Sequence, residues 1–338
     1  MPTAGQIKGF GQLLVGASTY KVPEFQRNFA WGEEEILPLL EDIQEVVEGG
    51  GKHFIGSLIV LNDDQDPNQL SVIDGQQRLT SLFIVLAAIR DHLDLKIGDP
   101  TLKLGEDFSI DLKQEIDKLL FAFDPQAQKR KPRLQAHPRI ESAFESAIMA
   151  APIANRPQLG PRDGKDREPL LKVSTIVRKW LVENYSGELD EQDNLSKLYK
   201  LFHALDNQIT VLTINADDIT ESYDVFMSLN STGKPLEQAD LIKSELFRIL
   251  TKDLPKSQRD IKAAELEAAW SVIIQNLEKI PTDEFLRHFF VSTTNKKVRK
   301  QDIFKSFYSK FKSVRNETEK EKSLAEEILF EISNLMGV

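Results

Sequence analysis

The stretch at residues 70–91, LSVIDGQQRLTSLFIVLAAIRD, constrains the fold more than any other part of the chain. Leu70, Val72 and Ile73 form a short apolar run with β-branched side chains, which predicts a covered strand. Asp74-Gly75 is a turn signal, and nearly every position in residues 79–89 is apolar. A helix that is apolar on most sides is buried. The sequence therefore predicts a strand, a tight turn and a long buried helix in immediate succession.

Five residues that turn, hydrogen-bond or carry charge separate this strand from the helix: Asp74, Gly75, Gln76, Gln77 and Arg78. The first N–H groups of a helix have no partner within the helix, and with the helix dipole they attract anions. A guanidinium beside them can bind a phosphate through two hydrogen bonds. The pattern predicts a phosphate site. The alternative is a capped helix start at which Arg78 pairs with a carboxylate.

Two further segments supply donors for such a site. The loop PEFQRNFAW, residues 23–31, contains Gln26 and Arg27 among aromatic residues that either stack on a base or anchor the loop to the core. The turn NSTGKPL contains Asn230 and Lys234, and it reads either as a phosphate contact or as a helix end with a glycine cap and a proline stop. Both segments therefore predict nucleotide contacts, with a structural alternative for each.

Composition narrows the class of protein. The 338 residues include no Cys, which excludes disulfides and thiolate chemistry. The five His are scattered and do not have the spacing of metal ligands, which argues against a preformed zinc site. The net charge of −10 argues against a surface that coats nucleic acid, although local basic runs remain candidates for DNA contacts. These candidate DNA-binding residues are Lys129, Arg130, Lys131, Arg133, Lys296, Lys297, Arg299 and Lys300.

The periodicity predicts an α+β fold that is predominantly helical, with a small sheet and a helical C-terminal part. Residues 6–15 read as a short amphipathic helix with Ile7 inward, and 53–61 and 208–214 read as strands. We expect a domain at 1–250 with a flexible, Pro- and Gly-rich insertion at about 151–169, followed by a helical extension at 251–338. Without a long apolar run or a signal peptide, a cytoplasmic protein with no membrane contact is expected.

Several segments together resemble the N-terminal domain of GmrSD-type modification-dependent restriction enzymes. They are VPEFQRNFAW (22–31), FIGSLIV (54–60), VIDGQQRLTSL (72–82), FMSLNSTGKPLEQADLIKSELF (226–247) and DEFLRHFF (283–290). Their order and spacing match the family over most of residues 6–312. The paired DGQQR and LN-x-TG-x-PL-x-x-ADLIK elements make the resemblance specific.

The resemblance implies a small mixed sheet with a ParB/sulfiredoxin-like strand-turn-helix core that holds nucleotide phosphates. It also implies that the protein binds an NTP (GTP, UTP or CTP) with Mg²⁺. Modified double-stranded DNA and an HNH-type nuclease domain are the partners that it implies. The chain ends at Val338 without an HNH signature, so we expect the nuclease in a C-terminal part or a separate subunit. A homo-oligomer through the C-terminal helices is a further expectation.

Three functional hypotheses follow. In the first, an NTPase regulates restriction: Arg78 neutralises phosphate charge, Asp74 binds Mg²⁺ or orients the attacking water, and Gln76 or Gln77 positions that water. In the second, the same cleft reads modified DNA directly, without NTP hydrolysis. The third is a nuclease that uses carboxylates of this chain, for which the candidates are Asp63, Asp64, Asp66 and Asp74.

Overall fold

The computed structural model divides the chain into two compact units, Met1–Leu229 and Asn230–Val338. It describes residues 5–16, 18–23, 26, 28–62, 66, 68–97, 106–124, 128–150, 165–186, 191–216, 238–251, 253–277, 280–294, 297–311, 314 and 317–335. The expected α+β class with a small mixed sheet and a predominance of helix is confirmed.

A six-stranded mixed sheet and a separate hairpin organise the first unit. The strands are β1 (Gln6–Gly9), β2 (Thr19–Lys21), β3 (His53–Asn62), β4 (Gln69–Asp74), β5 (Phe121–Asp124), β6 (Lys129–Pro132), β7 (Leu134–Gln135) and β8 (Ile209–Ala216). The order in the sheet is β1-β8-β3-β4-β2-β7, and β5 and β6 form the hairpin. The β2–β4, β2–β7 and β3–β8 pairs are parallel, and the β1–β8 and β3–β4 pairs are antiparallel.

The first unit contains a long buried helix, α3 (Gln76–Ile97), whose residues 79–93 are all buried. The other helices are α1 (Phe10–Leu13), α2 (Glu33–Gly49), α4 (Glu106–Leu120), α5 (Pro138–Ala143), α6 (Glu168–Tyr185) and α7 (Glu191–His203). Two π-helical segments, Phe144–Met149 and Ala204–Gln208, extend α5 and α7. Because residues 79–93 are buried and α3 packs against α4 and α6, the prediction of a long buried helix is confirmed.

Two arginines hold the first π-helical segment against the buried face of α3. Arg90 is fully buried and donates to the carbonyl oxygens of Ile148 and Met149. Its Nη2 also lies 3.0 Å from Asp91 Oδ1, while Arg178 of α6 donates to Asp91 Oδ2 at 3.1 Å. Two guanidinium groups therefore share one buried carboxylate, an arrangement that is costly to disrupt.

The prediction of a helix over residues 6–15 was wrong for its first part. Gln6–Gly9 is an edge strand that pairs antiparallel with β8, and only Phe10–Leu13 is helical. Ile7, which was expected to point inward, is 69% exposed. The error has a physical cause, because strand pairing with a partner about two hundred residues away overrides a weak local helical pattern. The predicted insertion at about 151–169 lies outside the described residues up to 164, and the chain is helical from Lys165 onward.

The second unit is helical in its described part, as predicted. The helices are α8 (Gln238–Thr251), α9 (Lys256–Asn276), α10 (Thr282–Thr294), α11 (Ile303–Phe311) and α12 (Thr318–Leu335). Gln238 and Asp283 connect them: Asp283 Oδ1 accepts from the N–H of Ala239 at 2.9 Å, and Gln238 Oε1 accepts from the N–H of Phe304 at 3.0 Å. Each acceptor satisfies an N–H group at the start of a helix.

No helix in the described part of the chain combines the length and the apolar character needed to cross a membrane.

Candidate functional site

The turn between β4 and α3 exists because Gly75 has no side chain. Its φ is +89°, a backbone conformation that L side chains rarely adopt, and a Cβ there would lie 2.7 Å from the carbonyl oxygen of Ser57. Leu79 N donates to Gly75 O at 2.9 Å, which starts the helix directly after the turn. The predicted strand-turn-helix is therefore present, with half-buried Asp74 at the end of β4.

Arg78 extends from the first turn of α3 toward β3. Its Nη1 donates to Ser57 O at 3.2 Å, and the side chain is partly exposed. Among the described residues the guanidinium has no carboxylate partner. The alternative interpretation, in which Arg78 only forms an ion pair at the helix start, is not what the described residues show.

The two glutamines of the turn point in different directions. Gln76 is 7% exposed, and its Nε2 lies 3.4 Å from Oε1 of Gln26. Gln26, which is 9% exposed, donates in turn to the carbonyl oxygen of Ile73 at 3.0 Å. The structure thus brings Gln26 of the first loop to the end of β4, beside the turn.

Gln77 binds the backbone of the loop that precedes α2. Its Oε1 accepts from the N–H of Ala30 at 2.8 Å and of Trp31 at 3.3 Å. Its Nε2 donates to the carbonyl oxygen of Asn28 at 3.1 Å. Both ends of this amide are therefore used to fix the loop, a role that differs from the water-positioning role expected from the sequence.

The space beneath Arg78 is too small for a ligand. A cavity of about 10 Å³ lies between β3, α1 and α3, lined by Gly56, Ser57 and Arg78 on one side and by apolar core residues on the other. A space of this size is about the smallest that can hold one water molecule. A ligand at this site would therefore approach the outer side of the guanidinium.

The first basic run lies away from the turn and is largely paired. Arg130 is 3.1 Å from Asp117, and Lys131 is 3.7 Å from Asp66. Arg133 is 6% exposed and donates to the carbonyl oxygens of Ser18 and Lys118, and burial lowers its pKa. Of this run only Lys129 and Arg130 present an exposed charge.

The second basic run leaves more positive charge exposed. Lys297, Arg299 and Lys300 are exposed, and Lys300 lies 3.9 Å from Asp283 while remaining 71% exposed. Six candidate site residues lie outside the described residues: Arg27, Asp63, Asp64, Asn230, Lys234 and Lys296.

A metal site is not preformed in the described residues, since no three His, Cys, Asp or Glu side chains cluster to hold an ion. A metal at the turn would have Asp74 as its nearby protein ligand and would need further ligands from a bound phosphate. Mg²⁺ is commonly bound in this manner, through one or two carboxylates and substrate phosphates.

Sequence reasoning missed Gly56 and Ser57 as parts of this site. The signal was an isolated glycine within a strand pattern, FIGSLIV, which indicates a bulge or a close backbone approach. The register of β3 against β8 shifts between Phe54 and Ser57, where this glycine lies.

Comparison with known proteins gives the family. Residues 10–247 match the family model described as the GmrSD restriction endonuclease N-terminal domain. The chain belongs to this family. Membership supports a role of this GmrSD N-terminal domain in a restriction system, and the matched range contains the whole β4–Gly75–α3 segment. No curated protein matches the chain closely enough to add a relative.

Proposed function

We propose that this GmrSD N-terminal domain binds and hydrolyses an NTP with Mg²⁺, and that the nucleotide regulates the recognition of modified DNA by a restriction system. The observation that carries the proposal is the Arg78 guanidinium. It is partly exposed at the start of a buried helix, and the described residues offer it no carboxylate. A cation in this position favours an anionic ligand.

Phosphate is the anion that this arrangement fits best. Ser57 O accepts one hydrogen bond from Arg78, which leaves other N–H groups of the guanidinium for two parallel bonds to phosphate oxygens. The N-terminus of α3 lies at the same place, and its dipole contributes roughly 0.3–1 kcal/mol toward a negative charge. GTP, UTP and CTP are the candidate nucleotides, and Arg27, Asn230 and Lys234 are the proposed further contacts.

Hydrolysis requires positioning and charge stabilisation more than covalent chemistry. Asp74 is the proposed Mg²⁺ ligand, and the metal supplies neutralisation of phosphate charge. Gln76 or Gln77 is the proposed residue that orients the attacking water, and the amide of Gln77 is also hydrogen bonded to the loop backbone at both ends. Gln26 holds the amide of Gln76 from the first loop.

A thermal-shift experiment tests this proposal. Melting temperatures are compared for wild type, Arg78→Ala and Arg139→Ala, each with GTP, UTP, CTP or ATP plus Mg²⁺. Arg139 is the matched control because it is an arginine of the same unit that forms an exposed ion pair with Asp166. A ligand at 100 times its Kd stabilises the folded state by about 2.7 kcal/mol. We expect a nucleotide-specific rise in wild type and Arg139→Ala that is lost in Arg78→Ala.

Direct reading of modified DNA is the second candidate function. It is favoured by the exposed charges at Lys297, Arg299 and Lys300, which have few acidic partners among the described residues. Such a run provides the salt-dependent part of binding to a phosphate backbone. An HNH-type nuclease, in a C-terminal part or a separate subunit, is the proposed partner that cleaves the DNA.

A further inference from the structure

Gly56 lies directly against the Arg78 guanidinium. A Cβ at position 56 would lie 2.5 Å from Nη1, 2.9 Å from Cζ and 3.3 Å from Nη2 of Arg78. Real Cβ atoms essentially never lie within 3.0 Å of such a neighbour, so a side chain here would displace the guanidinium. The bare backbone of Gly56 is therefore the surface on which the charged end of Arg78 rests.

The backbone of β3 is shaped for this contact. Gly56 has a φ of +114°, and the register of β3 against β8 shifts between Phe54 and Ser57. A residue in such a bulge leaves the regular ladder and bends the strand. The next carbonyl, Ser57 O, accepts from Arg78 Nη1 at 3.2 Å and would lie 2.7 Å from a Cβ at Gly75. One carbonyl thus approaches both the turn glycine and the arginine.

We propose that Gly56 is a positioning residue: it acts through Arg78 and holds the guanidinium in the orientation in which the outer N–H groups face a bound phosphate. The inference rests on the proposed function of the Arg78 site. Replacement of Gly56 by alanine moves the guanidinium away from Ser57 O. The two-point geometry that a phosphate requires is then disrupted, although the charge remains.

The chain contains a matched control for this substitution. Gly51 has a φ of +94°, and a Cβ there meets nothing within 4 Å. Gly51→Ala therefore introduces similar backbone strain without a steric conflict, so the difference between Gly56→Ala and Gly51→Ala isolates the effect on Arg78. Binding of the nucleotide that gives the largest thermal shift is measured by calorimetry, with Mg²⁺ present.

We expect Gly56→Ala to weaken nucleotide binding by about tenfold or more relative to Gly51→Ala, a factor that corresponds to one good hydrogen bond to the phosphate. In the Arg78→Ala background, Gly56→Ala should have no further effect on affinity. Such non-additivity is the signature of two residues that act together. Equal affinities for Gly56→Ala and Gly51→Ala would overturn the inference.

Folding controls keep the inference testable. If Gly56→Ala does not fold, the Gly56→Ala/Arg78→Ala double variant is measured. Recovered folding supports a direct contact between the two positions. A double variant that stays unfolded shows that backbone strain at the φ of +114°, and not the guanidinium, decides what position 56 accepts, which overturns the inference. If Arg78→Ala binds nucleotide as wild type does, the proposed function fails. In that case the coupling of positions 56 and 78 in thermal unfolding still decides whether Gly56 positions Arg78.

Discussion

The side-chain oxygen of Gln77 accepts a hydrogen bond from the backbone N–H of Ala30 at 2.8 Å, and so joins the first turn of α3 to a loop 47 positions earlier in the chain. The same amide bonds the backbone of Asn28 and Trp31. The loop is also held from the segment before α6, where Asn28 Nδ2 donates to the carbonyl oxygen of Asp166 at 3.1 Å. Gln77 therefore links the candidate site to this loop, in addition to the contacts of Gln26 with Gln76 and Ile73.

Gln77→Ala should loosen this loop. Three hydrogen bonds are removed and partly buried N–H groups remain without an acceptor, which is expected to lower the free energy of unfolding by about 2 kcal/mol. Denaturant unfolding measures the change, and hydrogen exchange at residues 28–31 localises it. Gln114→Ala, at an exposed position of α4, is the matched control. Unchanged exchange at residues 28–31 would show that Gln77 does not hold the loop.

Asp91→Ala should destabilise the first unit more strongly. The substitution leaves the fully buried Arg90 without its carboxylate, and removal of one partner from a buried ion pair costs about 3–5 kcal/mol. Asp111→Ala removes the same charge from an exposed position of α4 and should have little effect. Equal unfolding midpoints in urea for the two variants would contradict the account of the Arg90–Asp91–Arg178 cluster.

Tyr20 makes stability depend on pH in the alkaline range. Burial raises the pKa of its phenol to about 12, against an opposing effect of Arg133, and its hydroxyl donates to Leu13 O at 2.9 Å. The folded state holds the proton of this phenol more tightly than the unfolded state does. The resulting contribution to stability is therefore fully present below pH 10 and is lost between pH 10 and about 12. This contribution of Tyr20 to the free energy of unfolding is about 2–3 kcal/mol, because one pKa unit corresponds to roughly 1.4 kcal/mol.

The measurement compares the free energy of unfolding of wild type and Tyr20→Phe from pH 9 to pH 11.5. The stability of wild type should fall more steeply with pH than that of Tyr20→Phe. Tyr199→Phe, at a site that is 44% exposed, should follow the wild-type curve. Parallel curves for wild type and Tyr20→Phe would show that Tyr20 does not contribute.

The second basic run predicts a salt-dependent interaction with DNA. If Lys297 and Arg299 bind phosphates, their joint replacement by alanine should reduce the slope of log K against log salt by about 0.9 for each phosphate that is no longer neutralised. Lys179→Ala removes a positive charge from an exposed pair with Glu183 on α6 and should leave the slope unchanged. A slope that is the same in wild type and both variants would exclude this run from the DNA interface.

The sequence predicted the fold where the pattern is local. The strand, turn and helix at residues 70–91 were predictable because a β-branched run, a glycine and a continuous apolar stretch follow one another directly. The strand Gln6–Gly9 was not, because four residues at a sheet edge with an exposed Ile7 resemble a helix start until their partner β8 is known. Pairing over such a distance leaves no local signal.

In the candidate site, too, the sequence predicted what depends on neighbouring residues and did not predict what depends on distant ones. Asp74, Gly75 and Arg78 are adjacent in sequence, so their proximity was predictable. The hydrogen bond of Arg78 to Ser57 joins two separate elements, and the residue types at either end do not specify it. The role of Gln77 depends likewise on the position of the loop at residues 28–31.

Calorimetric titration of the protein measures whether Arg78 binds the phosphates of a nucleotide. The nucleotide selected by thermal shift is titrated with Mg²⁺ into wild type, Arg78→Ala and Arg139→Ala. We expect saturable binding by wild type and Arg139→Ala, and at least about a hundredfold weaker binding by Arg78→Ala, since a charge-assisted pair of bonds contributes about 3 kcal/mol. Equal affinity of Arg78→Ala and wild type would contradict this role of Arg78.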